Sequence, residues 1–431
     1  MSQDYSLKTI QAVRGMHDIT PEQSGHWSRL EQAVAEVFSS YAYREIRMPL
    51  VESTRLFHRS IGEVTDIVEK EMYTFPDRND ESLALRPEGT AGCVRAVIEN
   101  GLLNTPQKLW YSGPMFRYEK PQKGRYRQFH QIGAEVFGYP EVEVEAEMLL
   151  LNQRFWTRLG LDKNVSLQLN NIGDSDTRAH YKAALVDYLS AHKESLDADS
   201  LRRLDLNPMR ILDSKNRDTQ KLLNDAPQMA GFLSEASLQR VEQLNALLQS
   251  QGVKVEHNPR LVRGLDYYND TVFEWVSNDL GAQGTVCGGG RYDGLVEQLG
   301  GKPMPAIGFA MGVERLYLLL EAQAFASLNG SDAPDAYFIV AGDQLQTFAF
   351  DLAERLRNAK PGFKIMHTLA TTSMKSQFKK ADKSGARFAF VIGEDEVANA
   401  SVTVKDLQKG EQAQYSVADS LENLLAGLAI S

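Results

Sequence analysis

Arginines recur beside aromatic and glycine residues at several points of this sequence. Arg117 and Arg125 belong to the segment 117–127, which carries five basic residues against one acid. Arg263 lies in the run RGLDYY, and Arg315 lies in GVERL after an apolar stretch. Because a planar guanidinium can bind a phosphate or carboxylate oxygen through two N–H groups, these residues indicate chemistry on an anionic ligand. The alternative for the charge run alone is a solvated hairpin tip, which is the more common use of such runs.

The segment 109–137 should position Arg117, because it reads as strand, basic loop, strand. Side chains alternate between the two faces of a strand, so Ile132, Ala134 and Val136 point one way. An aromatic, an amide, a glycine and a carboxylate point the other way, where a merely solvated face would be served as well by Lys, Thr and Ser. We interpret this second face as the floor of a pocket, formed by Phe129, Gln131, Gly133 and Glu135.

Two further stretches supply candidate ligand contacts. In PEGT, Glu88 precedes a helix expected to run to Ile98 with Thr90 as its N-cap, and a carboxylate at a helix start often does no more than that. The run GTVCGGG over 284–290 has neither GK[ST] nor GxGxxG spacing, which excludes the two common nucleotide-binding loops. Its glycines predict instead a backbone that passes close to a ligand.

Arg315 is expected in the first turn of a helix, where its positive charge opposes the helix dipole unless an anion lies nearby.

The elements that carry these residues follow from periodicity and from breaker residues. A strand, a glycine and a helix are expected over 307–316, where the helix presents Arg315. The remaining predicted elements are a helix over 21–43, an extended segment over 44–50, paired strands over 72–75 and 83–86, and strands over 260–268 and 271–276.

The chain also shows a domain pattern. Residues 166–255 are helix-rich and polar and interrupt the strands, which predicts an insertion over about 173–255 with a small core of its own; an ordinary helical layer fits the pattern nearly as well. A linker composition at 328–334 divides the chain into domains 1–330 and 331–431. The second domain is expected to be a small, mostly parallel α/β sheet. Its predicted strands are 337–341, 363–368 and 388–393, and its predicted helices are 344–358 and 374–383.

Composition limits the class of protein. The 431 residues are 42% hydrophobic and 24% charged, which is ordinary for a globular protein. Cys93 and Cys287 are far apart and outside any Cys/His cluster, so neither a disulfide framework nor a zinc site is supported. The sequence offers no secretory signal and no membrane span, which favours the cytoplasm. A net charge of -10 argues against nucleic acid, but the clusters 117–127 and 375–387 are locally basic.

Several of these motifs resemble those of one enzyme family. FRYE, a basic loop and RQFHQ resemble motif 2 of the class II aminoacyl-tRNA synthetases, and GVERL resembles their motif 3. The long helix followed by an extended segment with Pro49 resembles the more degenerate motif 1. RGLDYY and the stretch 284–294 resemble the two histidine-recognition motifs of the histidyl-tRNA synthetases, and the whole chain is similar to the bacterial members of that family.

The resemblance implies an α+β fold. The class II catalytic core would contain a six- or seven-stranded antiparallel sheet flanked by helices. A helical insertion would interrupt this core, and an α/β anticodon-binding domain would follow it. It implies a cytoplasmic homodimer that uses ATP with Mg²⁺ to activate L-histidine and transfers it to tRNA(His), with no membrane partner. Mg²⁺ is expected to bridge phosphate oxygens with few protein ligands, so no metal-binding side chains are assigned.

The same resemblance implies roles for the nucleotide-binding residues. Arg117 and Arg263 would act in catalysis on the α-phosphate of ATP. Arg315 would hold the γ-phosphate and lie against adenine, with Phe129 stacked on the other face of the base. Arg125 would assist at the β- and γ-phosphates.

Roles for histidine binding are implied as well. Glu88 and Thr90 would receive the ammonium group, and Gln131 would bind the backbone groups. Glu135 and Tyr268 would pair with the two imidazole nitrogens. The full set implied for histidine binding is Glu88, Thr90, Gln131, Glu135, Arg263, Tyr267 and Tyr268.

Two other functions fit parts of the pattern. One is the catalytically inactive, histidine-binding regulatory paralogue of histidine biosynthesis, which would be expected to lose the motif arginines and the C-terminal domain. This chain retains Arg117, Arg263, Arg315 and the residues beyond 331. The other is a class II synthetase for a different amino acid, against which RGLDYY argues.

Overall fold

A computed structural model describes residues 9–62, 65–328, 330–368, 372–418 and 420–428. The chain divides into two compact units, Met1–Asn329 and Gly330–Ser431. Within the described ranges, none of the helices combines the length and apolar character needed to cross a membrane.

The larger unit alternates strands and helices along the chain. Its strands are β1 (Arg44–Glu45), β2 (Val51–Ser53), β3 (Tyr73–Pro76), β4 (Ser82–Leu85), β5 (Gln107–Phe116), β6 (Gln128–Phe137), β7 (Ser166–Asn171), β8 (Val255–His257), β9 (Asn269–Val276), β10 (Thr285–Arg291) and β11 (Ala306–Gly312). Its α-helices are α1 (Pro21–Ser40), α2 (Thr54–Ile61), α3 (Thr90–Glu99), α4 (Val142–Arg158), α5 (Ser175–Ser190), α6 (Ala198–Leu206), α7 (Arg217–Leu222), α8 (Glu235–Ser250), α9 (Leu295–Gln298) and α10 (Val313–Ala322).

The main sheet has the strand order β1-β5-β6-β11-β10-β9-β7-β8. The six strands from β5 to β7 in this order pair antiparallel, whereas β1 pairs parallel with β5 and β8 pairs parallel with β7. The α+β class and the antiparallel sheet are therefore confirmed, but two short parallel edge strands raise the count from the expected six or seven to eight. A separate sheet, β2-β4-β3, contains the predicted strand pair β3 and β4.

The alternation of β6 separates a core face from a site face. Ile132, Ala134 and Val136 are almost wholly buried and belong to the same apolar cluster as residues of α1, α4 and α10. Burial at this scale stabilises the sheet by roughly 25 cal/mol for each Å² of apolar surface removed from water. The opposite face is left to carry polar groups.

The helical region between β7 and β8 shares its cores with the rest of the unit. Leu244 and Leu248 of α8 belong to the main cluster with α4, and Leu185 and Leu189 of α5 belong to a cluster that includes Tyr268. The expectation of a separate core for this region is therefore wrong, because the apolar faces of its longest helices are buried against elements on either side of it in sequence.

The stretch with RGLDYY is not a strand, contrary to the prediction for 260–268. It is irregular up to β9 and is held by side-chain hydrogen bonds instead of strand pairing. Asn170 Nδ2 donates to the Leu261 carbonyl oxygen at 2.9 Å, and Arg210 Nη1 donates to the Arg263 carbonyl oxygen at 3.3 Å. Gly264 permits the close approach of Arg210, since a Cβ there would lie 2.9 Å from Nη1.

The smaller unit is a five-stranded sheet with the order β13-β12-β14-β15-β16. The first three strands in that order pair parallel, as predicted, while β15 and β16 add two antiparallel strands that the sequence reading missed. Its elements are β12 (Ala336–Val340), α11 (Gln346–Ala359), β13 (Ile365–His367), α12 (Met374–Ser384), β14 (Phe388–Ile392), α13 (Glu394–Ala398), β15 (Ser401–Asp406), β16 (Gln412–Ser416) and α14 (Glu422–Gly427).

Candidate active site

One cavity in the larger unit brings together ten of the eleven residues singled out from the sequence. It lies over the site face of β6 and between the loop after β5, the stretch before β9 and the start of α10. The ten residues are Glu88, Thr90, Arg117, Arg125, Phe129, Gln131, Arg263, Tyr267, Tyr268 and Arg315. The eleventh, Glu135, is fully buried and is not among the residues that line the cavity.

Two arginines of the β5–β6 connection are fixed by local acceptors. Arg117 Nε donates to the Pro87 carbonyl oxygen at 2.8 Å, and its guanidinium carbon lies 5.3 Å from the centroid of the Phe129 ring. Arg125 Nε forms an ion pair with Glu119 Oε2 at 2.9 Å. Both side chains therefore enter the cavity with a defined direction while retaining further N–H groups.

Arg315 reaches the cavity from the first turn of α10. Its Nε donates to the Gly124 carbonyl oxygen at 3.3 Å, and its Nη1 donates to the Thr285 carbonyl oxygen. Burial lowers the pKa of Arg315, and the charges of Arg125 and Arg117 lower it further. An anion bound among these cations would offset both effects.

Arg263 faces the same space from the irregular stretch before β9. Its Nη1 is paired with Glu274 Oε1, and its guanidinium carbon lies 5.8 Å from the Tyr268 ring centroid. Burial lowers the pKa of Arg263, but Glu274, Tyr268 and Tyr267 together outweigh this effect, so the pKa is raised overall. Within the described part of the chain, no hydrogen bond reaches its buried Nε, which leaves a donor for a ligand.

Glu88, and not Thr90, caps helix α3. The Glu88 carboxylate accepts hydrogen bonds from the backbone N–H of Thr90 at 2.6 Å and of Ala91 at 2.9 Å. Thr90 is the first residue of the helix, and Gly89 is its N-cap. Since the carboxylate satisfies these amides, the Thr90 hydroxyl is available elsewhere. Burial raises the pKa of Glu88, although its two backbone hydrogen bonds oppose the shift.

Glu135 lies one layer below the cavity and accepts three hydroxyl hydrogen bonds. Its Oε1 accepts from Thr90 Oγ1 at 2.7 Å and from Tyr111 at 3.0 Å, and its Oε2 accepts from Tyr292 at 2.5 Å. Burial raises the pKa of Glu135 to about 8, against the opposing effect of these hydrogen bonds. A carboxylate offers about four acceptor positions, so one position on Oε2 is left over.

Two glycines make room for this layer. Gly133 pairs with Tyr111 across β5 and β6, and a Cβ on Gly133 would lie 2.4 Å from the Tyr111 hydroxyl oxygen. A Cβ on Gly308 of β11 would lie 1.6 Å from Glu135 Oε2. The cavity lining on β6 therefore ends at Gln131, because Tyr111 fills the space over Gly133 and Glu135 lies in the layer below.

Sequence reasoning missed two acids of the site, Glu314 and Glu274. It also missed Tyr111 and Tyr292, the two tyrosines that bind Glu135. Glu314 of α10 accepts from the backbone N–H of His130 at 2.9 Å and joins α10 to β6. Glu274 accepts from Thr285 Oγ1 at 2.8 Å as well as binding Arg263. The signal for Glu314 was its position in GVERL, and the signal for Glu274 was a carboxylate among the apolar residues 272–276 of β9.

Across the residues that the structure describes, no group of three or more His, Cys, Asp or Glu side chains could hold a metal ion.

The second basic cluster lies in the smaller unit, where α12 exposes Lys375, Lys379, Lys380 and Lys383.

Comparison with known proteins identifies the family. The family model described as Histidyl-tRNA synthetase matches residues 15–316, and the model described as Anticodon binding domain matches residues 335–426. The crystal structure of S. aureus histidyl-tRNA synthetase is 37% identical with a TM-score of 0.80, over 97% of this chain and 100% of that chain.

Two more distant structures share the fold. Histidyl-tRNA synthetase from Nostoc sp. is 21% identical with a TM-score of 0.68, over 98% of this chain and 100% of that chain. A Bacillus halodurans protein, titled as an ATP phosphoribosyltransferase regulatory subunit/histidyl-tRNA synthetase, is 22% identical with a TM-score of 0.63, over 87% of this chain and 97% of that chain. With the family model matched over most of the larger unit and the S. aureus structure similar over nearly the full length, the chain belongs to the histidyl-tRNA synthetase family.

Proposed function

We propose that this protein is a histidine–tRNA ligase that activates histidine with ATP and transfers it to the 3′ end of tRNA(His). One observation carries the proposal: four guanidinium groups meet the Gln131 amide in a single cavity, directly above a buried carboxylate. The cations suit a polyphosphate, and the buried hydrogen-bonding groups suit a small polar side chain.

In the first step, a histidine carboxylate oxygen bonds to the α-phosphorus of ATP, and the bond to the β-phosphate oxygen breaks to release pyrophosphate. Two anions must approach, so catalysis depends on positioning and on cationic stabilisation of the developing charge. We assign Arg117 and Arg263 to the α-phosphate. The buried Nε of Arg263 supports this, because a buried donor that no hydrogen bond reaches among the described residues is costly until a ligand binds it.

The rest of ATP would occupy the side of the cavity near α10. Arg315 would bind the γ-phosphate and lie against adenine, with Phe129 on the other face of the base, and Arg125 would assist at the β- and γ-phosphates. The lowered pKa of Arg315 fits a site awaiting negative charge. Mg²⁺, when bound with ATP, would screen the charge of the phosphates, and no side chain of this chain is assigned to hold it.

Histidine would lie over the floor of β6. The Glu88 carboxylate and Thr90 would receive its ammonium group, and the buried Gln131 Oε1, which no hydrogen bond reaches among the described residues, would accept from its backbone groups. Tyr267 and Tyr268 would enclose the ring, with the Tyr268 hydroxyl at one nitrogen. The remaining acceptor position on Glu135 Oε2 would receive the other N–H.

In the second step, a hydroxyl of the terminal ribose of tRNA attacks the carbonyl carbon of histidyl-adenylate, and AMP leaves. The smaller unit, with the exposed lysines of α12, would bind the anticodon region. Single-stranded loop bases are the usual target of sequence-specific RNA recognition, and lysines supply phosphate contacts.

The remaining parts of the proposal concern organisation. We propose a cytoplasmic homodimer joined through α1 and the segment that follows it. The catalytic domain would span 1–330, with the insertion at about 173–255, and the anticodon-binding domain would span 331–431. Sedimentation analysis would test the dimer.

The decisive experiment is ATP–pyrophosphate exchange with each of the twenty amino acids in turn. Exchange that depends on histidine alone is expected. Exchange with another amino acid would make the protein a different class II synthetase. Histidine binding without any exchange would make it a regulatory paralogue, although such a paralogue would not be expected to retain Arg117, Arg263, Arg315 and the smaller unit.

A further inference from the structure

A buried ion network lies beside the histidine pocket, and none of its members lines the cavity. Glu145 of α4 is fully buried, and its Oε1 accepts from two arginines: Arg240 of α8, through Nη1, and Arg291 at the end of β10, through Nε at 2.9 Å. Arg240 Nη2 also donates to the Pro140 carbonyl oxygen at 2.6 Å. The network thus joins the helical region to the main sheet at a single carboxylate.

Each of the three guanidinium nitrogens of Arg291 donates a hydrogen bond. Besides the bond from Nε, Nη1 donates to Asp293 Oδ1 at 2.9 Å and Nη2 donates to the Tyr139 carbonyl oxygen at 3.2 Å. The Arg291 side chain is only 1% exposed. A buried charge with this many partners fixes the backbone that carries it, since releasing any one partner leaves a charge poorly compensated.

Asp293 forms two further hydrogen bonds besides its ion pair with Arg291. Its Oδ1 also accepts from the backbone N–H of Ala306 at 2.8 Å, and its own N–H donates to Asn269 Oδ1 at 2.7 Å. Between Gly290 and Arg291 the pairing of β10 with β9 shifts register. A bulge of this kind redirects the side chains that follow it. The residue between these two anchored positions is Tyr292, whose hydroxyl donates to Glu135 at 2.5 Å.

We infer that Arg240, Glu145 and Arg291 form a positioning device that holds the Tyr292 hydroxyl against Glu135 and thereby sets the affinity of the pocket for an imidazole. The inference rests on the proposed function. Arg240 is the informative member, because it comes from the helical region and its side chain is 24% exposed. Its loss would leave the Glu145–Arg291 pair in place but remove half of the positive charge at Glu145 Oε1. We therefore expect Arg291, and with it Tyr292, to shift.

The test compares Arg240→Met with Arg158→Met. Arg158 is a matched control: it lies on α4, like Glu145, and forms an exposed ion pair with Glu36 at 3.2 Å. Calorimetric titration with histidine and, separately, with ATP measures each affinity, and thermal melting measures stability. For Arg240→Met we expect the histidine Kd to rise roughly tenfold, as small displacements of a binding group commonly cause, with the ATP Kd unchanged. Arg158→Met should change neither, and Arg240→Lys should restore part of the histidine affinity.

An unchanged histidine Kd in a folded Arg240→Met variant would overturn the inference. So would equal losses of histidine and ATP affinity with a lowered melting temperature, because that pattern belongs to a purely structural contact. If Arg240→Met does not fold, Arg240→Lys carries the same comparison, with a selective loss of histidine affinity expected. Wild-type protein that binds no histidine would overturn the proposed function and the inference together, whereas wild-type binding with an unaffected variant would overturn the inference alone.

Discussion

The two halves of the cavity differ in the solvent exposure and hydrogen bonding of their charged groups. The half near α10 gathers arginines that keep access to water: the Arg125 side chain is 40% exposed and is already paired with Glu119. The half near α3 ends in Glu135, which is 0% exposed and accepts three hydroxyl hydrogen bonds. Charge with solvent access suits a flexible polyphosphate, while a buried and nearly saturated carboxylate suits a ligand that must supply a matching N–H group.

The two halves should therefore differ in how well they tolerate the substitution of a single residue. In the arginine half, neighbouring charges can partly replace a lost one, since Coulomb interactions act over several ångströms. In the Glu135 half, three hydroxyl groups donate to one carboxylate, so the loss of one group leaves another unpaired in a buried place. Arg263 combines properties of both halves, because its side chain is charged but only 19% exposed.

The largest effect is expected from Arg263→Ala. Its guanidinium is assigned to the charge that develops at the α-phosphate, and the loss of such a donor typically reduces the rate by roughly 10²-fold or more. ATP–pyrophosphate exchange measures the rate, and circular dichroism checks that the fold is retained. Arg263→Lys should recover part of the rate, because it restores the charge without the fork. An exchange rate that Arg263→Ala leaves unchanged would remove Arg263 from the mechanism.

The next largest effect should come from Gly308→Ala, which tests the packing around Glu135. The added Cβ would lie 1.6 Å from Glu135 Oε2, so the carboxylate or β11 must move. Overpacking of this kind typically costs about 1–3 kcal/mol of stability, which urea unfolding measures. Gly312→Ala is the matched control in the same strand, because a Cβ there meets nothing closer than 3.9 Å. Equal stability of the two variants would mean that the Glu135 layer is loosely packed.

Much of the site could be predicted because strand alternation and motif spacing are local. They placed Phe129 and Gln131 on the cavity floor and predicted the hairpin that carries Arg117. They could not reveal that Tyr111 lies over Gly133, since that contact depends on the register between β5 and β6.

Other features escaped prediction for related reasons. The stretch before β9 is rich in apolar and aromatic residues and was predicted as a strand, but side chains from β7 and from the helical region bind two of its backbone carbonyl groups instead. Thr90 has the residue type of an N-cap, but the carboxylate of Glu88 takes that place because it reaches two amides at once. Both errors arise where tertiary contacts override local preference.

A moderate effect, confined to one substrate, is expected from Glu135→Gln. The substitution keeps the volume but removes the anion that would accept an imidazole N–H, so above pH 8 the histidine KM should rise by roughly tenfold while the ATP KM stays the same. A loss of ATP binding with normal histidine binding would mean that the two halves have been assigned the wrong way round.

The pH dependence sharpens this test. Because burial raises the pKa of Glu135 to about 8, the carboxyl group is mainly protonated at pH 7 and ionises as the pH rises through that value. If the anion is the form that accepts the imidazole N–H, wild-type histidine affinity should strengthen from pH 7 to above 8, and Glu135→Gln should lack this component. Titration of free histidine affects both proteins equally, so the ratio of their affinities isolates it.

The smallest effect on the cavity is expected when the chain is ended at residue 329. All the residues of both halves lie in the larger unit, which is compact and has its own apolar clusters. ATP–pyrophosphate exchange should therefore proceed at nearly the full rate, with histidine and ATP KM unchanged. Failure of exchange in a soluble truncated protein would mean that the arrangement of the cavity depends on residues after 329.

Transfer to tRNA should respond in the opposite way. Removal of the smaller unit removes the exposed lysines of α12, which we assign to the anticodon region, while the basic loop between β5 and β6, which we assign to the acceptor end, is retained. The rate of charging should therefore fall steeply at low tRNA concentration, and tRNA binding should depend less on salt, because fewer phosphates are neutralised. A truncated protein that charges tRNA like the full chain would show that the smaller unit has no part in tRNA recognition. The lysines of α12 would then not bind the tRNA that we assign to the loop 117–127.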